Sequence, residues 1–260
     1  MGASQSVSMI RAGPEHLRLD KEDPTSKAIM AILPFYSTEY GCSDGKGDKY
    51  FEMSGIMECP KTYRTVIDLL LSRYKGLPED QRPTAIAGFE ARGFVFASTL
   101  AAALELPLAM IRRAGKLPGI TYRQGEHEIR FGAVPPDARV VLVDDLIASG
   151  ASMITALEMV RKMKATVKEI VSVADIPELG GVKNIHAHDA GAFKDVPVFT
   201  LVNASNVEDS LCGNPKAASG LKTLTIEQVK TKKWKMKVIS GDENKNTVNV
   251  DPEKETLLEK

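Results

Sequence analysis

Val140-Val141-Leu142-Val143-Asp144-Asp145-Leu146-Ile147-Ala148-Ser149-Gly150-Ala151-Ser152 is the stretch on which the reading of this chain turns. The apolar run Val140–Val143 predicts a strand buried on both faces, as in a parallel sheet covered by helices. Two adjacent carboxylates, Asp144 and Asp145, stand at its end. A loop of small, hydroxyl-bearing residues follows and opens directly into a helix predicted over Ser152–Met163. Backbone N–H groups at such a turn, together with the helix dipole, make a site for a monophosphate. Ser149 and Ser152 can add hydroxyl donors, and the acid pair can address the hydroxyls of a sugar. A Walker A loop would end in Gly-Lys-Ser/Thr. This loop has no lysine, and the chain has no GxGxxG. A ribose 5-phosphate therefore suits the stretch better than a nucleoside triphosphate; the plainer alternative is a buried strand whose acids cap a helix.

Working outward, strand and helix patterns alternate. Thr84–Phe89, Leu108–Ile111, Ile170–Ala174 and Val198–Val202 read as apolar strands. Gly93–Leu104 reads as a small-residue helix, and Tyr63–Tyr74 as an amphipathic helix with Val66, Ile67, Leu70 and Leu71 on one face. The fold class implied is α/β, a mostly parallel twisted sheet flanked by helices, with ligands beyond the carboxyl ends of the strands. Residues 1–30, with Gly13-Pro14 and Asp23-Pro24, read as a flexible leader. A phosphate-site domain is expected over 31–204, including a loop-rich hood at 31–60 with its Gly41–Gly47 turn region. A C-terminal extension over 205–260 alternates Thr, Val and Ile with Lys, enough for one hairpin.

The chain has 260 residues, enough for one generous domain with appendages, and its 43% hydrophobic content allows a sizeable core. Basic and acidic residues balance at 34 each, which argues against nucleic acid as the main partner. Cys42, Cys59 and Cys212 lack CxxC or metal-ligand spacing and read as free thiols of a reducing compartment, with a cytoplasmic location expected. The apolar runs are too short to span a membrane. Met1–Ser6 fits the M-G-x-x-x-S/T acylation pattern, and an acyl chain on Gly2 would give weak membrane contact; the alternative is a chance match in a small leader.

Asp144–Ser152 resembles the signature of the type I phosphoribosyltransferases, whose usual form is V-D-D-x-x-A-T-G-G-T. Ala87–Phe96 resembles the G-x-D/E-S/A-R-G-F-x-F segment of the adenine phosphoribosyltransferases, and Ile111–Gly119 is similar to their I-R-K-x-x-K-L-P-G. Order and spacing match over roughly 45–203. The resemblance implies a type I phosphoribosyltransferase fold. It also implies a reaction of purine salvage, in which adenine and phosphoribosyl pyrophosphate give AMP and pyrophosphate. Asp144, Asp145, Ala148, Ser149, Gly150, Ala151 and Ser152 would hold ribose 5-phosphate, and Glu90, Ala91, Arg92, Arg112, Arg113 and Lys116 the pyrophosphate. The family's peptide bond at the place of Glu90–Ala91 is cis. Mg²⁺ is implied, carried by substrate oxygens and water with no direct protein ligation. A homodimer is implied too, since a basic residue of the Arg112–Lys116 block can reach the partner's site.

Tyr50–Ser54 resembles the family's F-R-D-I/V-S, so Tyr50 and Phe51, with Leu146, could sandwich adenine; the alternative for these aromatics is plain core. The family's lid, S-Y-x-L-E-Y-G, is matched by a shorter Thr121–Glu128, where Tyr122 takes the tyrosine's place and Glu126 is the nearest acid. These two are the expected catalytic residues. Ala151 stands where glycine is usual. The short lid and Ala151 keep open a catalytically weak paralogue that binds phosphoribosyl pyrophosphate as a regulatory or assembly subunit. Another purine phosphoribosyltransferase is disfavoured by the Arg92 and Lys116 blocks. His186-Ala187-His188-Asp189 is expected in a polar loop with solvated histidines, Trp234 to pack in the tail, and Cys42 to have no nucleophilic role.

Overall fold

A strand covered on both faces must be apolar at successive positions, and the strands at the middle of this chain meet that demand. The computed structural model describes residues 7–33, 35–37 and 49–204. In chain order these form β1 (Met9–Gly13), β2 (His16–Leu19), α1 (Pro24–Met30), β3 (Phe35–Ser37), β4 (Lys49–Phe51), α2 (Ser54–Glu58) and α3 (Pro60–Ser72). Then follow β5 (Ala85–Phe89), α4 (Arg92–Leu104), β6 (Leu108–Arg113), β7 (Thr121–Gln124) and β8 (His127–Arg130). The last elements are β9 (Arg139–Ile147), α5 (Ala151–Lys162), β10 (Thr166–Asp175), α6 (Gly181–Gly191) and β11 (Val198–Asn203).

Nine strands form one sheet in the order β1-β2-β11-β10-β9-β5-β6-β8-β7. From β2 to β6 neighbouring strands run parallel, while β1 and the β7–β8 hairpin close the two edges antiparallel. β3 and β4 pair separately as an antiparallel ribbon. Alternation along β9 divides the core. Val141 and Val143 join a cluster with Leu70 of α3 and Phe96 and Leu100 of α4; Val140 and Leu142 join another with Met153 and Leu157 of α5. Among the described residues, no helix is long and apolar enough to cross a membrane.

The structure departs from the expectations in two elements. The stretch read as a leader holds β1, β2 and α1, and β2 extends the parallel sheet through β11. The short β1–β2 hairpin is rich in polar residues and gives little periodicity; its place is set by buried side chains instead. Arg18 donates to both oxygens of Asp175 at 3.0 and 2.9 Å, Thr200 donates to the same carboxylate at 2.8 Å, and His16 lies 2.9 Å from the Thr200 hydroxyl. Burial holds the His16 pKa below its ordinary value. Since the Thr200 proton is committed to Asp175, His16 Nε2 is the donor to Thr200.

The second departure is 186–189, which lies within α6 and not in a loop. The helix kinks at His188–Ala190, and the histidines are bound by protein: His186 to the Val196 carbonyl at 2.9 Å and His188 to Glu158 at 2.8 Å. With Gly181 and Ile185 as its buried residues, α6 gives no apolar stripe to read. The C-terminal extension, with Trp234, and Cys42 and Gly2 lie outside the described residues.

Asp175→Ala would strand Arg18 in a largely buried position. The expected loss is about 3–5 kcal/mol, measured by urea unfolding, with faster amide exchange over residues 9–19. Unchanged stability would mean that the network does not hold β2 to the sheet.

Candidate active site

The sheet brings Asp144 and Asp145 to the carboxyl-end half of β9, with the strand continuing through Ile147. Asp145 is 4% exposed and Asp144 is half-buried. The Asp145 N–H donates to Asp144 Oδ1 at 2.9 Å. Burial raises the Asp144 pKa well above the ordinary carboxyl range, and the neighbouring Asp145 charge raises it further. Adjacent carboxylates in a desolvated place cannot both ionise freely.

Helix α4 is pressed onto this pair. A Cβ on Gly93 would lie 2.8 Å from Asp144 Oδ1 and 3.1 Å from the Val143 carbonyl, so only glycine fits. Beside it, Arg92 Nε lies 2.9 Å from Asp145 Oδ2. Among the described residues that buried oxygen receives no well-directed hydrogen bond, so the contact is a charge pairing that an incoming hydroxyl can share.

The loop Ala148–Ser152 turns at Gly150, whose φ of 83° and closeness to the Gly181 carbonyl (2.6 Å from a built Cβ) both demand glycine. Gly150 precedes α5, whose first-turn N–H groups have no partner within the helix. Ala151 is the first residue of α5 and is not in the left-handed region, so alanine is accommodated there without backbone strain. From behind, a Cβ on Gly181 would collide with the Ala148 carbonyl, and Asn184 Nδ2 donates to the Ser149 carbonyl at 3.0 Å. Gly181 and Asn184 thus back the loop. The Gly180-Gly181 pair was the signal in the sequence that could have marked this close approach.

At the end of β5 the Glu90–Ala91 peptide is cis. Arg112 donates to both Glu90 oxygens at 3.1 Å, and the Arg113 N–H donates at 3.1 Å. The Arg112 guanidinium holds the Glu90 carboxyl below its ordinary pKa. Arg112 also donates to the Lys116 carbonyl at 3.2 Å, whereas the Arg113 and Lys116 side chains are exposed. Of the cations grouped for pyrophosphate, Arg112 is thus engaged with Glu90, and Arg92 with Asp145.

The short lid segment is the β7–β8 hairpin, joined to β6 through Ile111↔Ile129 and Arg112↔Glu128. Glu126 is exposed in its turn, and Tyr122 is half-buried with its hydroxyl 3.3 Å from Gln124 Oε1. The buried acid is Glu128, which accepts from the Lys116 and Leu117 N–H groups at 2.7 and 2.6 Å and from Thr121 at 3.3 Å. Those bonds, the Leu117 N–H foremost, hold its pKa down. Sequence reading had no signal for Glu128, because its partners are backbone groups of another segment. Leu146 packs half-buried against the α3–α4 side of the core. Tyr50 and Phe51 lie in β4, and their side chains fall outside the described residues.

Residues 54–201 match the phosphoribosyl transferase domain. The chain is 38% identical over 165 residues to the adenine phosphoribosyltransferase of Methylibium petroleiphilum, covering 60% of this chain and 79% of that one. Among solved structures it is similar to adenine phosphoribosyl transferase from Trypanosoma brucei in complex with AMP, pyrophosphate and ribose-5-phosphate. That likeness has a TM-score of 0.74 at 28% identity and covers 86% of this chain and 98% of the other. The enzyme from Leishmania tarentolae gives 0.72 at 30% identity, covering 80% and 100%.

The raised Asp144 pKa has a sign that thermal unfolding can read. Below the ordinary carboxyl range of about 4 the group is protonated in both folded and unfolded states and costs nothing. Above it the unfolded carboxyl ionises while the folded one resists, so the cost grows up to the folded pKa. Asp144→Asn should therefore match wild type at about pH 4 and unfold at a higher temperature at about pH 8. A variant less stable at the higher pH alone would contradict this assignment.

Proposed function

The chain belongs to the type I phosphoribosyltransferase family and is similar to its adenine phosphoribosyltransferases, and on that premise we propose that it joins adenine to the ribose 5-phosphate of phosphoribosyl pyrophosphate. The products are AMP and pyrophosphate. One observation carries the reading. The Asp144–Asp145 pair, Asp145 buried and Asp144 half-buried, runs straight into a glycine-turned loop at the N-terminus of α5, with Arg92 paired to Asp145 beside it.

In this reading the N–H groups and hydroxyls of Ala148–Ser152 hold the 5-phosphate. Asp144 and Asp145 accept the ribose hydroxyls. The bond from C1 to the pyrophosphate oxygen breaks with its electron pair going to pyrophosphate. Adenine N9 forms the new bond to C1 and gives up its proton, which the departing pyrophosphate takes. Positive charge develops on the sugar ring, and the acid pair lies where it stabilises that charge. Because Asp144 keeps its proton more firmly than an ordinary carboxyl, the pair carries less repulsion and can ionise as a cationic centre approaches. Arg92, Arg113 and Lys116 meet the leaving pyrophosphate. Tyr122 and Glu126 on the hairpin close the base side, and Tyr50, Phe51 and Leu146 flank the purine.

The donors at the strand end are carboxylates, hard oxygens that suit Mg²⁺. Among the described residues no group of three or more His, Cys, Asp or Glu side chains could hold a metal. Asp144 and Asp145 are the side chains that would face an ion carried on substrate oxygens and water, and when bound it would supply charge neutralisation on the pyrophosphate. A cytoplasmic homodimer, with Arg113 or Lys116 reaching the partner's site, completes the proposal.

A second reading is favoured by the tight Gly125-Glu126 turn, which leaves Glu126 in solvent: a paralogue that binds phosphoribosyl pyrophosphate and turns it over poorly. Formation of AMP from adenine, phosphoribosyl pyrophosphate and Mg²⁺ by the purified chain separates the two. Turnover is expected, with Asp144→Asn and Asp145→Asn each lowering kcat/KM by about 100-fold or more. Binding without turnover would select the second reading.

A further inference from the structure

Glu158 lies on α5 one and two turns beyond Ile154 and Ala151, on the face that begins at the phosphate loop. Its two oxygens serve different elements. Oε1 meets His188 Nε2 at 2.8 Å, and Oε2 accepts a short hydrogen bond from Gln124 Nε2 of β7. Gln124 in turn accepts from the Tyr122 hydroxyl at 3.3 Å. His188 reaches Glu158 because α6 kinks there: His188 has a ψ of 143°, and Asp189 and Ala190 have φ values of 50° and 53°. The kink is fastened next door, where Arg161 donates to Asp189 at 2.8 Å and the His188 ring stacks on Phe193 with centroids 6.1 Å apart.

We propose that Glu158 is a positioning residue that latches the 121–130 hairpin to the helix carrying the phosphate loop. The hairpin of this chain then works as a fixed wall, with Tyr122 set in place against the core cluster that holds Met153 and Leu157 of α5. Backbone bonds tie β8 to β6 up to the turn, where the Ala114 N–H donates to the Glu126 carbonyl at 2.9 Å, but β7 is the edge strand, with no partner on its outer side among the described residues. Here Glu128 fixes the start of β7 through Thr121, and Glu158 fixes its end through Gln124, by hydrogen bonds to carboxylate oxygens, the stronger kind. The effect on catalysis rests on the function proposed above; the latch itself does not.

Amide exchange over 121–130 in the substrate-free full chain tests the latch directly. Glu158→Gln leaves one acceptor oxygen for two donors, and Gln124→Glu sets two carboxylates against each other. Each should speed exchange of the hairpin by about tenfold. The double exchange Gln124→Glu/Glu158→Gln restores the pattern. The amide placed on α5 can donate to the carboxylate placed on β7 and accept from His188, and exchange should return to the wild-type rate. Gln124→Ala removes the donor while keeping the Glu158–His188 pair, so it reads the latch even if Glu158→Gln fails to fold. In the AMP assay the single variants should lower kcat by about tenfold with KM for phosphoribosyl pyrophosphate little changed, and the double variant should recover it. Unchanged exchange in Gln124→Ala, or a double variant no better than the worse single one, overturns the proposal. A chain that makes no AMP would sink the adenine reading and leave the exchange result to decide the latch.

Discussion

Two carboxylates side by side on one buried strand repel each other, and the structure around them is arranged to bear that repulsion. Burial pushes Asp144 toward its neutral form, and the neighbouring Asp145 charge pushes it further. Arg92 answers one of them, Asp145, and Asp144 takes the proton-retaining role. This division requires the start of α4 to touch β9, which the missing side chains allow. A Cβ on Gly88 would collide with the Ala97 Cβ, so α4 lies close on β5; Gly93 then lets its first turn reach Asp144. Small residues in 88–97 are therefore an electrostatic device as much as a packing one. They bring a cation to a desolvated acid.

The acids outside the pair do a different task, ordering loops. Glu90 binds the fork of Arg112, Glu128 binds the amides of Lys116 and Leu117, and Glu158 takes Gln124 and His188. Each joins segments that are distant in sequence, and each directs its charge to donors already present. Arg113 and Lys116 keep exposed side chains and have no ion pair among the described residues, so an anion could reach them without breaking one.

The parts of this arrangement that were legible in the sequence are those governed by local rules. A four-residue apolar run, an acid pair and a small-residue loop before a helix mark the start of β9, the turn and α5 within a residue, while the strand itself runs four residues further, through the acid pair to Ile147. What was hidden depends on partners far along the chain. The β1–β2 hairpin has no periodic signal. Its place comes from Arg18 meeting Asp175 and His16 meeting Thr200, 157 and 184 residues away along the chain. Helix α6 buries little and is broken by its own kink. In the lid segment the eye goes to Tyr122 and Glu126 by resemblance, while the acid that the fold buries is Glu128, whose value lies in backbone amides that no side-chain pattern displays.

The short hairpin then poses a choice between mobility and order. A long lid gains water exclusion by closing, and loses conformational entropy each time it does so. Shortening the segment to β7, a tight turn and β8 removes most of that entropy cost, and also most of the reach. A wall that cannot move must already be in the right place, because a misplacement of an ångström is enough to lose much of the advantage of orientation. That requirement explains why carboxylates brace the hairpin at both ends, with Glu128 at the root and Glu158 near the tip. It also makes α5 the common reference: the helix whose first turn would hold phosphate is the one to which the wall is tied.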